Sequence, residues 1–113
     1  MTLVQEGPVI LIGYEYRLRL AADVAAFPEG ARFLGQMRAS LAATEVLATV
    51  SSDAGTLVRI DDMTLDIVIP PAVTSALTPG SVVLDLVRTD IDPDRHLGVL
   101  LEIPVVLPVT RAL

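Results

Sequence analysis

The densest group of polar side chains in this sequence is Asp90-Ile-Asp92-Pro-Asp94-Arg-His96, three carboxylates at alternate positions leading to the only histidine. Carboxylates spaced in this way open the calcium loop of an EF-hand, which also needs glycine at its sixth position and a carboxylate at its twelfth. Counted from Asp90, those positions hold Arg95 and Leu101. Pro93 stiffens the segment and aspartate is common in turns. It therefore reads as a solvated hairpin tip, and no metal ligand is assigned. His96 would need an orienting partner and a nucleophile within hydrogen-bond reach to do acid–base or nucleophilic chemistry. Ser40, Ser51, Ser52, Ser75 and Ser81 lie in no nucleophile motif. Asp61-Asp62 is a second carboxylate pair, but adjacent residues at a hairpin tip point apart. The seven glycines are scattered, so no loop cradles a phosphate. No catalytic or cofactor-binding residue is assigned, no cofactor is expected, and the chain is read as something other than an enzyme.

Composition supports a scaffold. At 113 residues the chain makes one domain, of a size that buries roughly two-thirds of its unfolded surface. Hydrophobic residues make up 52% of it, more than so small an interior absorbs, and exposed apolar patches mark interaction surfaces. Tyr14, Tyr16, Phe27 and Phe33 are the only aromatics, too few both to fill a core and to stack bases or sugars. A net charge of −6, with no arginine cluster to offset it, argues against a nucleic-acid partner. The absence of cysteine excludes disulfides and thiolate sites within the chain. No signal sequence is read at the N-terminus. The most apolar stretch, residues 97–109, is broken by Glu102, Pro104 and Pro108, and a membrane span needs about 20 apolar residues. No membrane partner is expected.

Short apolar runs closed by turn residues recur along the chain, the pattern of an all-β domain. Pro8 opens a first run, which Gly13 closes. Tyr14, Tyr16, Leu18 and Leu20 then alternate with Glu15, Arg17 and Arg19, which gives a strand with one wet face. Phe27-Pro-Glu-Gly30 is a turn, and residues 31–38 a strand with Phe33 and Met37 on one side. Residues 36–48 suit either a helix face or a strand; β-branched Val46, Thr49 and Val50 favour a strand over 44–50. Residues 56–60 and 63–69 make a hairpin. Pro70-Pro71 stops pairing and leads into a short helical turn. Residues 82–89 form a strand, and 97–109 one long strand or two short ones. Pro104 and Pro108 each remove a ladder donor, so that strand is expected at an edge or bent. The expected fold is a small antiparallel β-sandwich, a single domain over 1–113, with one helical turn near 70–77.

The order of these features resembles a known family. Phe33-Leu-Gly-Gln-Met-Arg38 is followed by Leu65-Asp-Ile-Val-Ile69 and the Pro-Pro turn with Thr74 and Leu77. Then come Pro79-Gly80, Val83-Leu-Asp-Leu-Val-Arg-Thr-Asp90 and the closing Val105-Val-Leu-Pro-Val-Thr-Arg111. Over roughly residues 30–111 this is similar to the N-terminal domain of phage baseplate upper proteins and to small fibre-adaptor or head-spike base proteins, including those of gene transfer agents. The resemblance implies a non-enzymatic virion component, assembled in the bacterial cytoplasm as a homo-oligomer, with five or six copies natural for a virion axis. Its partners would be a fibre or spike protein and a capsid or tail protein. Longer members continue into a fibre or helical tail, whereas this sequence stops at Leu113, as expected of a stand-alone adaptor. A small-ligand-binding β-barrel and an accessory subunit of a non-viral complex are the rival readings.

Within such an assembly, the C-terminal segment is the expected contact. Val105, Val106, Leu107, Val109 and Leu113 are too apolar to leave in water, and each buried side chain of this kind contributes about 1.5–3 kcal/mol. The competing possibility is that the segment completes its own domain's core.

Overall fold

Nine strands and one turn of helix make up the fold in the computed structural model, which describes residues 3–6 and 8–110, with side chains from residue 8 onward. In chain order they are β1 (Leu3–Glu6), β2 (Ile10–Leu11), β3 (Tyr16–Ala21), β4 (Phe33–Arg38) and β5 (Ala48–Ser51). β6 (Leu57–Asp61), β7 (Thr64–Ile69), α1 (Pro71–Thr74), β8 (Gly80–Arg88) and β9 (Arg95–Val106) follow. The larger sheet has the order β1-β9-β8-β4-β5, with β2 continuing beside β9; the smaller has the order β3-β7-β6.

Period-two alternation places the core. Phe33 and Met37 of β4, Val82, Leu84 and Leu86 of β8, and Leu101, Ile103 and Val105 of β9 are all buried. They form one cluster with Leu65, Ile67 and Ile69 of β7 and with Leu57 and Tyr16. The two sheets therefore share a single core, as a sandwich requires. Phe27 enters it from the loop after β3, stacking edge-on against Phe33 with ring centroids 5.6 Å apart. The Arg59 Nε donates to the Phe27 carbonyl at 2.8 Å and fixes that loop. Gly35 lies where β4 passes closest to its neighbours: a methyl there would meet the Asp85 carbonyl oxygen at 2.8 Å and the Leu86 and Val50 side chains at 2.9 Å.

The helical turn forms where Pro-Pro ends β7. Thr74, fully buried, donates through its hydroxyl to the Tyr14 carbonyl at 2.8 Å, and Leu77 follows into the core. The turn thus joins the end of the smaller sheet to the chain entering β3.

The expected all-β fold of two sheets with one short helical turn is observed, and three details of it differ. The sandwich is not purely antiparallel, because β1 and β2 run parallel to β9, pairing Leu3 with Val99 and Ile10 with Val105. The strand expected over 44–50 begins only at Ala48. Before it, Arg38 donates to the carbonyls of Ala43 and Thr44 at 3.1 and 2.7 Å, holding the segment as a loop instead. Pro104 sits in a central strand rather than at an edge, since β9 has β8 on one side and β1 and β2 on the other. The Ile12 N–H donates to the Val106 carbonyl at 3.0 Å, so the polar groups of Val106 face β2. By strand alternation the nitrogen of Pro104 faces the same way. It meets the stretch between Glu6 and Ile10, where Pro8 and Val9 belong to no strand. The missing donor thus falls where the neighbouring strand is interrupted.

Candidate assembly surface

The C-terminal segment divides at Val105. That side chain is 1% exposed and belongs to the domain's own core, so the contact expected there is corrected: an intact fold cannot offer it to a partner. The next residue points the other way. Val106 and Leu107 are about half exposed and Val109 is 96% exposed, while Leu113 lies outside the described residues.

Pairing brings N-terminal residues to the same corner. Leu11 lies opposite Val106, and the Tyr14 hydroxyl donates to the Thr110 carbonyl at 2.7 Å. Val9, Leu11 and Tyr14 are each more than two-fifths exposed. Six apolar or aromatic side chains from two distant parts of the sequence therefore share one corner. Tyr16 anchors the corner to the smaller sheet. Its buried hydroxyl donates to the Pro8 carbonyl at 2.8 Å, and burial pushes its pKa up to about 12. Residues 8–14 were missed as part of this surface because adjacency to residue 106 depends on a parallel pairing with no local signal.

A second exposed group, Val58, Ile60 and Met63, lies on the β6–β7 hairpin. Beside it is an open depression of about 620 Å³ whose lining includes Ala21, Ile60, Asp61 and Met63. Asp61 and Asp62 point apart at the turn. Asp61 accepts the Met63 N–H at 2.8 Å, which with a Thr64 contact holds its carboxyl below the usual range, while Asp62 pairs with Arg59.

The other polar groups of interest are tied to the scaffold. His96 Nε2 lies 2.9 Å from Asp85, and its Nδ1 accepts the Gly98 N–H at 2.9 Å. With Gly98 donating to Nδ1, Nε2 is the nitrogen that donates to Asp85, so both ring nitrogens are engaged by the scaffold. The histidine holds a β9 bulge, where the register with β8 shifts and Gly98 takes φ +76°. Asp90 accepts from the Arg88 guanidinium at 2.8 and 3.0 Å and from the Arg32 N–H at 3.1 Å. These contacts hold its carboxyl far below the ordinary carboxylate range, with the Arg88 bond the largest cause. Among the described residues, no three carboxylates or imidazoles come together as a metal site would require.

One carboxylate is fully enclosed. Asp66, 1% exposed, accepts from Arg19 at 2.8 and 3.0 Å and from Arg17 at 3.4 Å. The Arg19 bond, the largest cause, outweighs burial and holds the Asp66 carboxyl below its ordinary value. Both arginine side chains remain more than half exposed on the outer face of the smaller sheet.

The described side chains thus include exposed apolar groups and several ion pairs. Neither a protein-family model nor a curated protein matches the chain.

Proposed function

We propose that the chain is a non-enzymatic structural adaptor of a phage-like particle, self-associating around an axis and joining a fibre or spike to a head or tail. The observation that carries self-association is the corner where Val9, Leu11, Tyr14, Val106, Leu107 and Val109 stand exposed together. Contiguous apolar groups on a small domain are what an oligomer interface uses. The assignment to a virion rests on the resemblance over residues 30–111.

Val106 and Val109 point away from the core, so Val106→Asp combined with Val109→Asp tests the corner without touching the interior. Native mass spectrometry of the unaltered chain is expected to give a closed oligomer, and the double variant a folded monomer with an unchanged thermal melt. A chain that stays monomeric when concentrated and mixed with purified particle proteins overturns the proposal, and so does a double variant that assembles normally. Antibody labelling at a discrete place on purified particles tests the virion location separately.

A further inference from the structure

Among the described residues the smaller sheet has three strands where the larger has five positions, and β3 has a neighbour on one side only. Which backbone groups β3 leaves free follows from one bond: the Ala22 N–H donates to the Met63 carbonyl at 2.8 Å. The N–H and C=O of an antiparallel residue face the same neighbour, and successive residues alternate. Tyr16, Leu18, Leu20 and Ala22 therefore direct their backbone groups toward β7. Those of Arg17, Arg19 and Ala21 face outward, a row of three donors and three acceptors with no strand beside them among the described residues.

The side chains along this edge point two ways. Leu18 and Leu20 turn inward yet are only partly buried against the core, as are Leu97 and Val99 of β9. Arg17 and Arg19 turn outward, and the only carboxylate between them, Asp66, is enclosed. Within β3 the exposed charges are both positive, with Glu15 exposed just before it, on a chain of net charge −6.

We propose that β3 is an acceptor edge. An extended segment of a partner protein, with apolar residues alternating with carboxylates, adds there as a fourth strand of the smaller sheet. Its backbone pairs with Arg17, Arg19 and Ala21. Its apolar residues cover Leu18 and Leu20, and its carboxylates meet the two guanidinium groups. Strand addition of this kind takes affinity from main-chain bonds and specificity from alternate side chains. The partner is assigned to another protein because, among the described residues, the stretch of this chain that follows β9, Leu107 to Thr110, carries no carboxylate to meet the two arginines. The inference is independent of the virion assignment.

The probe is an acetylated Val-Glu-Val-Glu-Val-Glu peptide, long enough to run beside the six residues of β3. Its charge-swapped control is Val-Lys-Val-Lys-Val-Lys. Added at about millimolar concentration, the acidic peptide is expected to slow hydrogen exchange at the amides of Arg17, Arg19 and Ala21 about tenfold, and the basic peptide to leave them unchanged. Ala21→Pro removes an N–H that faces away from β7, so it blocks addition while sparing the existing ladder. It is expected to abolish the effect with the thermal melt retained. The proposal is overturned if both peptides act equally, if neither acts, or if protection appears elsewhere. It is also overturned if Ala21→Pro changes the oligomeric state of the chain alone, because the edge would then belong to a second copy. The peptide comparison uses the unaltered protein and decides the matter even if the proline variant fails to fold.

Discussion

Replacing Tyr16 by phenylalanine should reverse its effect on stability as pH rises. The hydroxyl is buried, donates to the Pro8 carbonyl and has its pKa raised from 10.0 to about 12. At neutral pH the variant loses one neutral hydrogen bond, typically worth about 0.5–1.5 kcal/mol. Pro8 is exposed and its carbonyl can turn to water, so the loss should fall near about 1 kcal/mol or below. Above pH 10 the unfolded tyrosine ionises while the folded one does not. A folded pKa raised above the unfolded value gives stability that is complete below the lower pKa and lost as pH climbs through the higher. Two pH units correspond to about 2.7 kcal/mol, lost between about pH 10 and 12. Phenylalanine has nothing to ionise and escapes that loss. The wild type should therefore be the more stable protein at pH 8, the two should cross near about pH 11, and the variant should lead above it. Urea unfolding of both proteins from pH 8 to about 12 measures the difference, and the subtraction cancels every other titrating group. Parallel stability curves with no convergence above pH 10 would refute the burial argument.

Two further perturbations test the packing. Gly35→Ala should destabilise by about 1–3 kcal/mol, because the added methyl meets a backbone carbonyl as well as two side chains; calorimetry showing an unchanged or raised Tm would contradict it. Arg19→Met should lower Tm more than Asp66→Ala. The first leaves a carboxylate enclosed with one weaker partner, whereas the second frees two guanidinium groups that already reach water. The Asp66 carboxyl is held below its ordinary value, so its contribution is present above about pH 4 and lost as pH falls through the folded value. Asp66→Ala should accordingly show a flatter acid limb in the same melts.

Elements with one wet face and one dry face were legible from sequence: β3, β4, β7 and β8 all lie within the expected strands or one or two residues from them. The Pro-Pro helical turn and the acidic hairpin tip were legible for the same reason, since their chemistry is local. What escaped depends on distant partners. Leu3–Glu6 has no period-two signal, and only β9 makes it a strand. Pro104 argued for an edge because one proline reports a missing donor and nothing of where that donor would have pointed. The corner surface was half visible: Val106, Leu107 and Val109 looked too apolar for solvent, but Val9, Leu11 and Tyr14 join them only through parallel pairing. Val105 was grouped with its neighbours although alternation sends it inward. The enclosure of Asp66 was hidden because Arg17, Arg19 and Asp66 each sit at an outward position of an ordinary strand.

The place of β9 also governs the order in which the molecule can form. It is the last strand of the fold to leave the ribosome, yet both β8 and the N-terminal strands depend on it for pairing. Until it emerges, β1 and β2 have no template and β8 presents a bare apolar edge. Closing a contact between residues 3 and 99 incurs most of its loop entropy before any ladder bond offsets it. Folding of the larger sheet therefore waits for β9, and a ribosome stalled before residue 95 would hold a chain whose N-terminal strands have nowhere to dock.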